Sequence, residues 1–136
     1  MPSKTFAKVR NTKESKHQLV LGQYLRETRM TGFFELKVAS KENFFFNKIE
    51  NPQYLGLQAT EKEGLFWKLS DQDQRQKPCD CIGIPPMSSY IVIKFKDGFY
   101  MIRIKEIVKL RDDGLVSISK DQAEQLAEKI IKIETE

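Results

Sequence analysis

Residues 33–40 read FFELKVAS, a short run that alternates as a β-strand does. One face of this strand is apolar and suits a protein core; it carries Phe34, Leu36 and Val38. Glu35 and Lys37 leave the opposite face, about 7 Å apart along the backbone, because successive side chains of a strand point to opposite sides. The strand therefore presents an acid and a base together beside an apolar layer.

The overall composition predicts one globular domain. The chain has 136 residues, of which 40% are apolar and 31% charged. No apolar run approaches the length of about 18 residues that a membrane span needs. The basic N-terminus lacks the apolar core of a secretory signal. We expect a cytoplasmic protein with a basic arm at residues 1–12 and a single domain at residues 13–136. The net charge of +4 permits a polyanionic partner without demonstrating one.

The rest of the chain predicts an α/β fold built on a mixed sheet with flanking helices. A first helix is expected from Glu14 to about Arg29, and a second from Pro52 to Gly64. Four further strands follow, the last two joined by a Lys96-Asp97-Gly98 hairpin, and a closing amphipathic helix begins after Ser119. The strands are LFWKL at 65–69, CDCIGI at 79–84, SYIVIKF at 89–95 and FYMIRI at 99–104; the closing helix is 119–133.

The Glu35 and Lys37 pair suits metal-assisted phosphodiester hydrolysis. Mg²⁺ is held by one or two carboxylates and keeps several waters, while a neighbouring lysine orients a water or offsets charge on a phosphoryl group. Asp80 is the candidate second acid, because an Asp entering an apolar strand needs a charged partner or an exposed position. The alternatives are a structural ion pair for Glu35 with Lys37, and a capping role for Asp80.

The remaining polar and sulfur-containing residues give weaker indications. Asp71 is a secondary acid in a polar connection, and Gln53 opens the second helix, where its amide could reach a phosphate or a metal-bound water. Cys79 and Cys81 are interpreted as small core residues, and Trp67 as core. No phosphate loop or dinucleotide glycine motif is present, so no nucleotide cofactor is expected.

These segments together resemble the PD-(D/E)xK nuclease superfamily, in particular its small Holliday-junction-resolvase-like recombination nucleases of phages and bacteria. FFELKVA resembles the acid-x-lysine strand of that group, and NFFFNKIENPQYLGL resembles its following loop and helix with the motif glutamine. LFWKLSD and QKPCD resemble a lysine-Ser-Asp and Lys-Pro-aromatic-Asp pair. The resemblance extends from about Glu14 to Ile104. By position, the resemblance matches the following residues to the motif residues of that group: Glu35, Lys37, Gln53, Lys68, Asp71, Lys77 and Asp80.

The chain departs from the superfamily pattern in one respect. The second metal-binding Asp usually precedes the acid-x-lysine strand, and no Asp lies upstream of Glu35 here. We infer that the hairpin formed by residues 65–84 brings Asp80 to the equivalent place. Glu14 would correspond to the helical acid that some resolvases use.

The resemblance implies a restriction-endonuclease-like core and a Mg²⁺-dependent DNA endonuclease, with Mn²⁺ as a substitute, in a bacterial, archaeal or phage-infected cell. Glu35, Asp80 and the carbonyl of Leu36 would hold the metal, Lys37 would activate water, and Gln53 would orient the phosphate. A homodimer is expected if branched DNA is the substrate. A non-catalytic DNA-binding or adaptor domain, and a restriction-type enzyme or exonuclease, stay open as alternatives. The expected DNA contacts are Lys8, Arg10, Lys13, Lys16, Lys68, Asp71, Arg75 and Lys77.

Overall fold

A computed structural model describes residues 13–69 and 79–133, with the backbone alone for residues 13 and 14. The predicted basic arm at residues 1–12 and the polar connection at residues 70–78, after the predicted LFWKL strand, lie outside these ranges. The helices are α1 (Lys13–Thr28), α2 (Asn51–Glu63), α3 (Ile104–Asp112) and α4 (Lys120–Leu126), with a 3₁₀ turn at Phe46–Lys48. The strands are β1 (Phe33–Val38), β2 (Asn43–Phe45), β3 (Leu65–Lys68), β4 (Cys81–Ile84), β5 (Ser89–Phe95), β6 (Gly98–Arg103), β7 (Ser117–Ser119) and β8 (Lys129–Lys132).

The central sheet has four strands in the order β1-β5-β6-β8. β1 runs parallel to β5, whereas β5 with β6 and β6 with β8 are antiparallel. Two separate ribbons, β2 with β7 and β3 with β4, stand beside it. The predicted mixed α/β architecture with flanking helices is therefore confirmed.

Helices cover both faces of the central sheet. α1 packs on one face, where Leu21 meets Leu36, Val92 and Phe99. α2, α3 and α4 cover the other, over a core that includes Ile91 and Ile93. Because β5 has helices on both sides and strands on both edges, all seven of its residues are buried, which explains why SYIVIKF reads as nearly continuous apolar sequence.

The end of the chain differs from its sequence-based prediction. The closing helix stops at Leu126, and Ile130 and Ile131 belong to β8, which pairs with β6. Ile130 and Ile131 do lie at helical spacing, but the free edge of β6 offers backbone hydrogen bonds, and this pairing outweighs the local helical preference. α3 is a helix that the sequence pattern did not predict, because it begins directly where β6 ends, with no turn residue to mark the change.

Three residues predicted to be buried lie on or next to the β3–β4 ribbon. Trp67 is 60% exposed and Cys79 and Cys81 are exposed, so their interpretation as core residues is wrong. Among the described residues, β3 and β4 pair with each other and have few contacts with the central sheet, and Phe66, Trp67 and Ile82 are exposed. Within the described residues, no helix is both long and apolar enough to span a bilayer.

Asp97, in the turn between β5 and β6, ties three elements together. Its carboxylate accepts hydrogen bonds from Lys132 of β8 at 2.7 Å and from Tyr100 at 3.1 Å, and it pairs with Lys120 of α4 at 3.0 Å. Burial alone would raise the pKa of this carboxyl group. The hydrogen bonds from Lys132, Lys120 and Tyr100 outweigh burial and lower the pKa from 3.8 to about 2.

This network predicts how stability responds to acid. Since the folded-state pKa of Asp97 lies below its unfolded value, its contribution is complete above pH 3.8 and is lost as the pH falls toward about 2. Asp97→Asn should lower the melting temperature at neutral pH and flatten the fall in stability over that window. Urea unfolding at several pH values checks this. An unchanged pH profile in the variant would contradict the assigned role.

Candidate functional site

The site is built on β1, the edge strand of the central sheet. Leu36 is buried against α1, so the side chains of Glu35 and Lys37 emerge on the opposite face, toward α2. Both are half-buried. The predicted sharing of one strand face is therefore present, and it lies at an edge that another molecule can approach.

Gln53 fixes the position of the Glu35 carboxylate. Its Nε2 donates a hydrogen bond to Oε1 of Glu35 at 2.8 Å, and its Oε1 accepts one from the backbone N–H of Glu50 at 3.0 Å. Glu50 and Gln53 form a capping box at the start of α2, next to Pro52. The helix cap thus sets the direction of the amide, and the amide holds Glu35 near the electropositive end of α2.

The backbone N–H and C=O groups of β1 alternate between two directions, toward β5 and toward the open edge of the sheet. The N–H groups of Phe33 and Ala39 donate to carbonyls preceding and within β5. Odd-numbered residues of β1 therefore turn their backbone groups inward, and even-numbered residues turn theirs to the open edge. The ammonium of Lys48 lies 3.4 Å from the carbonyl oxygen of Val38 on that edge. The carbonyl of Leu36, predicted as a metal ligand, accordingly faces outward on the same edge.

Glu35 and Lys37 do not form the structural ion pair considered as an alternative. Among the described residues, no contact within 4.0 Å joins the Lys37 ammonium to the Glu35 carboxylate. The carboxylate accepts a hydrogen bond from the neutral amide of Gln53.

A cleft of about 420 Å³ opens between β1 and α2. Glu35 and Gln53 lie on its wall, with Gly32, Gly56 and Thr60 among its other lining residues. A side-chain carbon at Gly56 would meet nothing within 4 Å, so the glycine keeps this part of the helix surface open. Sequence reasoning missed Gly56 and Thr60, because neither carries a chemical signature outside the fold.

Asp80 occupies a different kind of position. It is exposed, directly before β4, and its carbonyl accepts a hydrogen bond from the N–H of Leu69 at 2.8 Å. It is not among the residues that line the cleft. Lys68 is exposed on the same ribbon, opposite Cys81. The replacement of an upstream acid by Asp80 therefore stays a prediction.

The other predicted contacts are distributed over the rest of the chain. Lys16 is exposed on α1, on the face of the sheet opposite Glu35. Lys13 and Glu14 begin that helix, but their side chains lie outside the description. Outside the described ranges altogether are Lys8, Arg10, Asp71, Arg75 and Lys77.

The described residues that line the cleft include one carboxylate, that of Glu35. Within residues 13–69 and 79–133, no group of three or more His, Cys, Asp or Glu side chains comes together as a metal cage. The Glu35 carboxylate is an oxygen ligand of the type that Mg²⁺ prefers, and Mg²⁺ commonly binds through one or two carboxylates plus waters. The carbonyl of Leu36 faces the open edge of β1, and Leu36 is not among the residues that line the cleft. A Zn²⁺ site with N and S ligands is not supported by these residues.

Comparison of the chain with known protein families, curated proteins and solved structures finds no match.

The hydrogen bonds of Gln53 should contribute measurably to the free energy of unfolding. Gln53→Ala removes a helix cap and the support of a half-buried carboxylate, so it should destabilise the protein by about 1–2 kcal/mol. Gln58→Ala is the matched control, since Gln58 is exposed on the same helix; its effect should stay within about 0.5 kcal/mol. Urea unfolding measures both. Equal effects of the two substitutions would show that the Gln53 hydrogen bonds contribute nothing.

Proposed function

We propose that this chain is a Mg²⁺-dependent DNA endonuclease with a restriction-endonuclease-like core. The observation that supports this most directly is the Gln53–Glu35 hydrogen bond of 2.8 Å at the edge of the sheet. It holds an acid on an accessible strand, with a lysine on the same face and a carbonyl turned to the same edge. Metal-assisted hydrolysis of a phosphodiester uses these three kinds of group.

Glu35 and the carbonyl of Leu36 would hold the metal, with Asp80 as the second carboxylate. Bound there, Mg²⁺ would stabilise charge on the phosphoryl oxygens during an in-line displacement. Lys37, on the same face as Glu35, orients the attacking water or offsets negative charge on the phosphate. Gln53 positions Glu35 through one N–H of its amide, and the second N–H would be available to orient the scissile phosphate.

The substrate we favour is branched DNA, cut by a homodimer, as in Holliday junction resolution. Symmetric incision of two strands requires two centres, which a two-fold dimer provides. Phosphate contacts would come from Lys68 on the ribbon, Lys16 on α1 and the basic residues outside the described ranges. Such contacts contribute to the affinity for DNA but do not distinguish one base sequence from another. A restriction-type enzyme or an exonuclease would use the same chemistry on another substrate.

A non-catalytic DNA-binding domain is the second candidate. It is favoured by the position of Asp80, which does not line the cleft that contains Glu35. With one carboxylate at the site, metal binding would be weak and cleavage slow or absent. The two candidates differ in their response to divalent cations.

Cleavage assays test the proposed endonuclease. With Mg²⁺, the protein should cut a four-way junction or duplex DNA, and Glu35→Gln, Lys37→Met and Asp80→Asn should each reduce the rate by about 10²-fold or more, because each removes a group acting on the reacting phosphate. Glu63→Gln and Lys105→Ala are matched controls on exposed positions of α2 and α3. Cleavage that survives all three site substitutions would refute the assignment.

Thermal melting tests the metal site without relying on activity. Mg²⁺ or Mn²⁺ that binds the folded protein must raise its melting temperature, by an amount equivalent to about 2.7 kcal/mol at a hundredfold excess over Kd. Glu35→Gln should abolish the shift and Glu63→Gln should keep it. A reduced shift in Asp80→Asn would identify Asp80 as a ligand. No shift in the unmodified protein, together with no cleavage, would favour the non-catalytic domain.

A further inference from the structure

Another cavity, of about 350 Å³, lies where the start of α2, the end of α3 and the β2–β7 ribbon meet. Phe45 and Val116 line it from the ribbon side, Asn47 and Asn51 from the segment that leads into α2, and Arg111 from the end of α3. We call it the Arg111 pocket. Its volume falls in the range of about 300–1,000 Å³ that is typical of sites for small ligands. None of these five residues has a role in the proposed hydrolysis.

The guanidinium of Arg111 is held over the ring of Tyr54. Its central carbon lies 4.1 Å from the ring centroid, a distance at which a cation and an aromatic ring attract each other. Tyr54 is itself fixed, because it is 3% exposed and its hydroxyl donates a hydrogen bond to the carbonyl of Phe46 at 3.3 Å. The carboxylate of Asp112 lies 3.7 Å from one guanidinium nitrogen, at an exposed position where an ion pair contributes little. The ring of Tyr54 therefore sets the position of a planar group with several N–H donors.

Phe45 is the aromatic side chain at the mouth of the pocket. Because side chains alternate along β2, Phe44 points into the core and is fully buried, whereas Phe45 turns away from the core and is 46% exposed. A single exposed phenylalanine is ordinary on a protein surface. Phe45, however, lines a cavity together with a guanidinium that is held in place. The pocket therefore combines an accessible ring with a second planar group.

The side chains of the pocket suit a nucleobase. Aromatic rings and guanidinium planes are the groups on which proteins stack unpaired bases. The amides of Asn47 and Asn51 each carry donors and an acceptor, and so match the hydrogen-bonding edge of a base. A simple anion would need Arg111 but not Phe45, and an apolar side chain would need Phe45 but not the amides. A nucleobase is the class of ligand that uses all three kinds of group.

The first turn of α2 contributes both to this pocket and to the proposed hydrolytic site. Asn51 and Tyr54 line the pocket, whereas Gln53 of the same turn donates the 2.8 Å hydrogen bond to Glu35. Lys48, just before α2, reaches the open edge of β1 with its ammonium group. One helical turn therefore lies between the β1 edge and the Arg111 pocket.

We propose that the Arg111 pocket binds one unpaired nucleobase of the DNA strand that is cut, stacked on Phe45 and on the guanidinium of Arg111. This inference rests on the proposed function for the identity of its ligand, but not on catalysis. It narrows the substrate to DNA with an unpaired nucleotide near the scissile phosphate, as at a branch point or a single-stranded tail, because a base inside a duplex has to leave the stack before it enters a pocket.

Binding measured in EDTA tests the pocket apart from cleavage. Fluorescence anisotropy is recorded with a labelled duplex that ends in a single-stranded tail and with the blunt duplex of the same sequence. Phe45→Leu keeps an apolar side chain but removes the ring, so it should weaken binding of the tailed duplex by about tenfold and leave the blunt duplex unchanged. Phe45→Tyr keeps the ring and should bind as the unmodified protein does. Leu55→Ala, at an exposed apolar position of α2, is the matched control and should change neither affinity.

Arg111→Lys separates stacking from charge. Lysine keeps the positive charge but lacks the planar face, so the affinity for the tailed duplex should again fall by about tenfold. Arg26→Lys, exposed on α1, is the control. Melting temperatures show whether the variants fold, and because Phe45 and Arg111 belong to different elements, either substitution decides the question alone.

A tail of abasic sites keeps the phosphates and removes the bases. The unmodified protein should bind it less tightly than the natural tail, by about the same tenfold as the substitutions cause. Full affinity for the abasic tail, or full affinity of either variant for the natural tail, would overturn the proposal.

The pocket and the endonuclease fail in different ways. Tail binding that both substitutions leave unchanged, with Mg²⁺-dependent cleavage by the unmodified protein, would overturn the pocket and leave the endonuclease intact. Weaker tail binding in both variants, without cleavage by the unmodified protein, would support the pocket and refute the endonuclease. No binding of DNA by the unmodified protein would overturn both.

Free deoxyadenosine distinguishes a base within a strand from a free nucleoside. If it raises the melting temperature of the unmodified protein but not of Phe45→Leu, and that variant binds the tail normally, the pocket takes a small molecule and the DNA assignment is wrong. If it competes with the tailed duplex and the competition is lost in Phe45→Leu, the same pocket takes a base of the strand, as proposed.

Discussion

The burial of β5 is the constraint on which the rest of the molecule depends. All seven of its residues are buried, between helices on two faces and strands on two edges. The register of β1 is fixed against it, Glu35 opposite Ile91 and Lys37 opposite Ile93. A slip of one residue would bury Glu35 and Lys37 under α1 and expose Leu36, at a large hydrophobic and desolvation penalty. The position of the polar pair is therefore a consequence of core packing.

The helix cap of α2 couples this strand to the opposite layer. Gln53 satisfies the N–H of Glu50 and the carboxylate of Glu35 with one amide, so the same group closes a helix and orients a site. One partner of this carboxylate is therefore a neutral amide, which supplies a hydrogen bond and fixes the direction of the side chain.

Local sequence patterns predicted the helices and strands whose formation depends on neighbouring residues. They failed for segments whose structure or burial depends on contacts with distant parts of the chain. The alternation of FFELKVAS and the Pro52–Gln53 helix start were sufficient to place Glu35, Lys37 and Gln53 on facing elements. The periodicity around Ile130 and Ile131 fitted a helix, but the edge of β6 recruited them into a strand. Trp67 and Cys81 were expected in the core because of their chemistry, yet their burial depends on a covering layer that the β3–β4 ribbon lacks.

The two carboxylates of the proposed centre have unequal mechanical support. Glu35 is fixed by a sheet, a core and a helix cap, whereas Asp80 stands on a two-stranded ribbon, a structure that is marginal without further packing. The ribbon is anchored at its base, where Gly64 (φ 80°) passes so close to the carbonyl of Ile84 that a side-chain carbon would lie 2.2 Å from it. Beyond that base, Phe66 is 73% exposed. The place of Asp80 relative to Glu35 therefore depends on a ribbon that is held mainly at its base, whereas the place of Glu35 depends on the central sheet and the α2 cap.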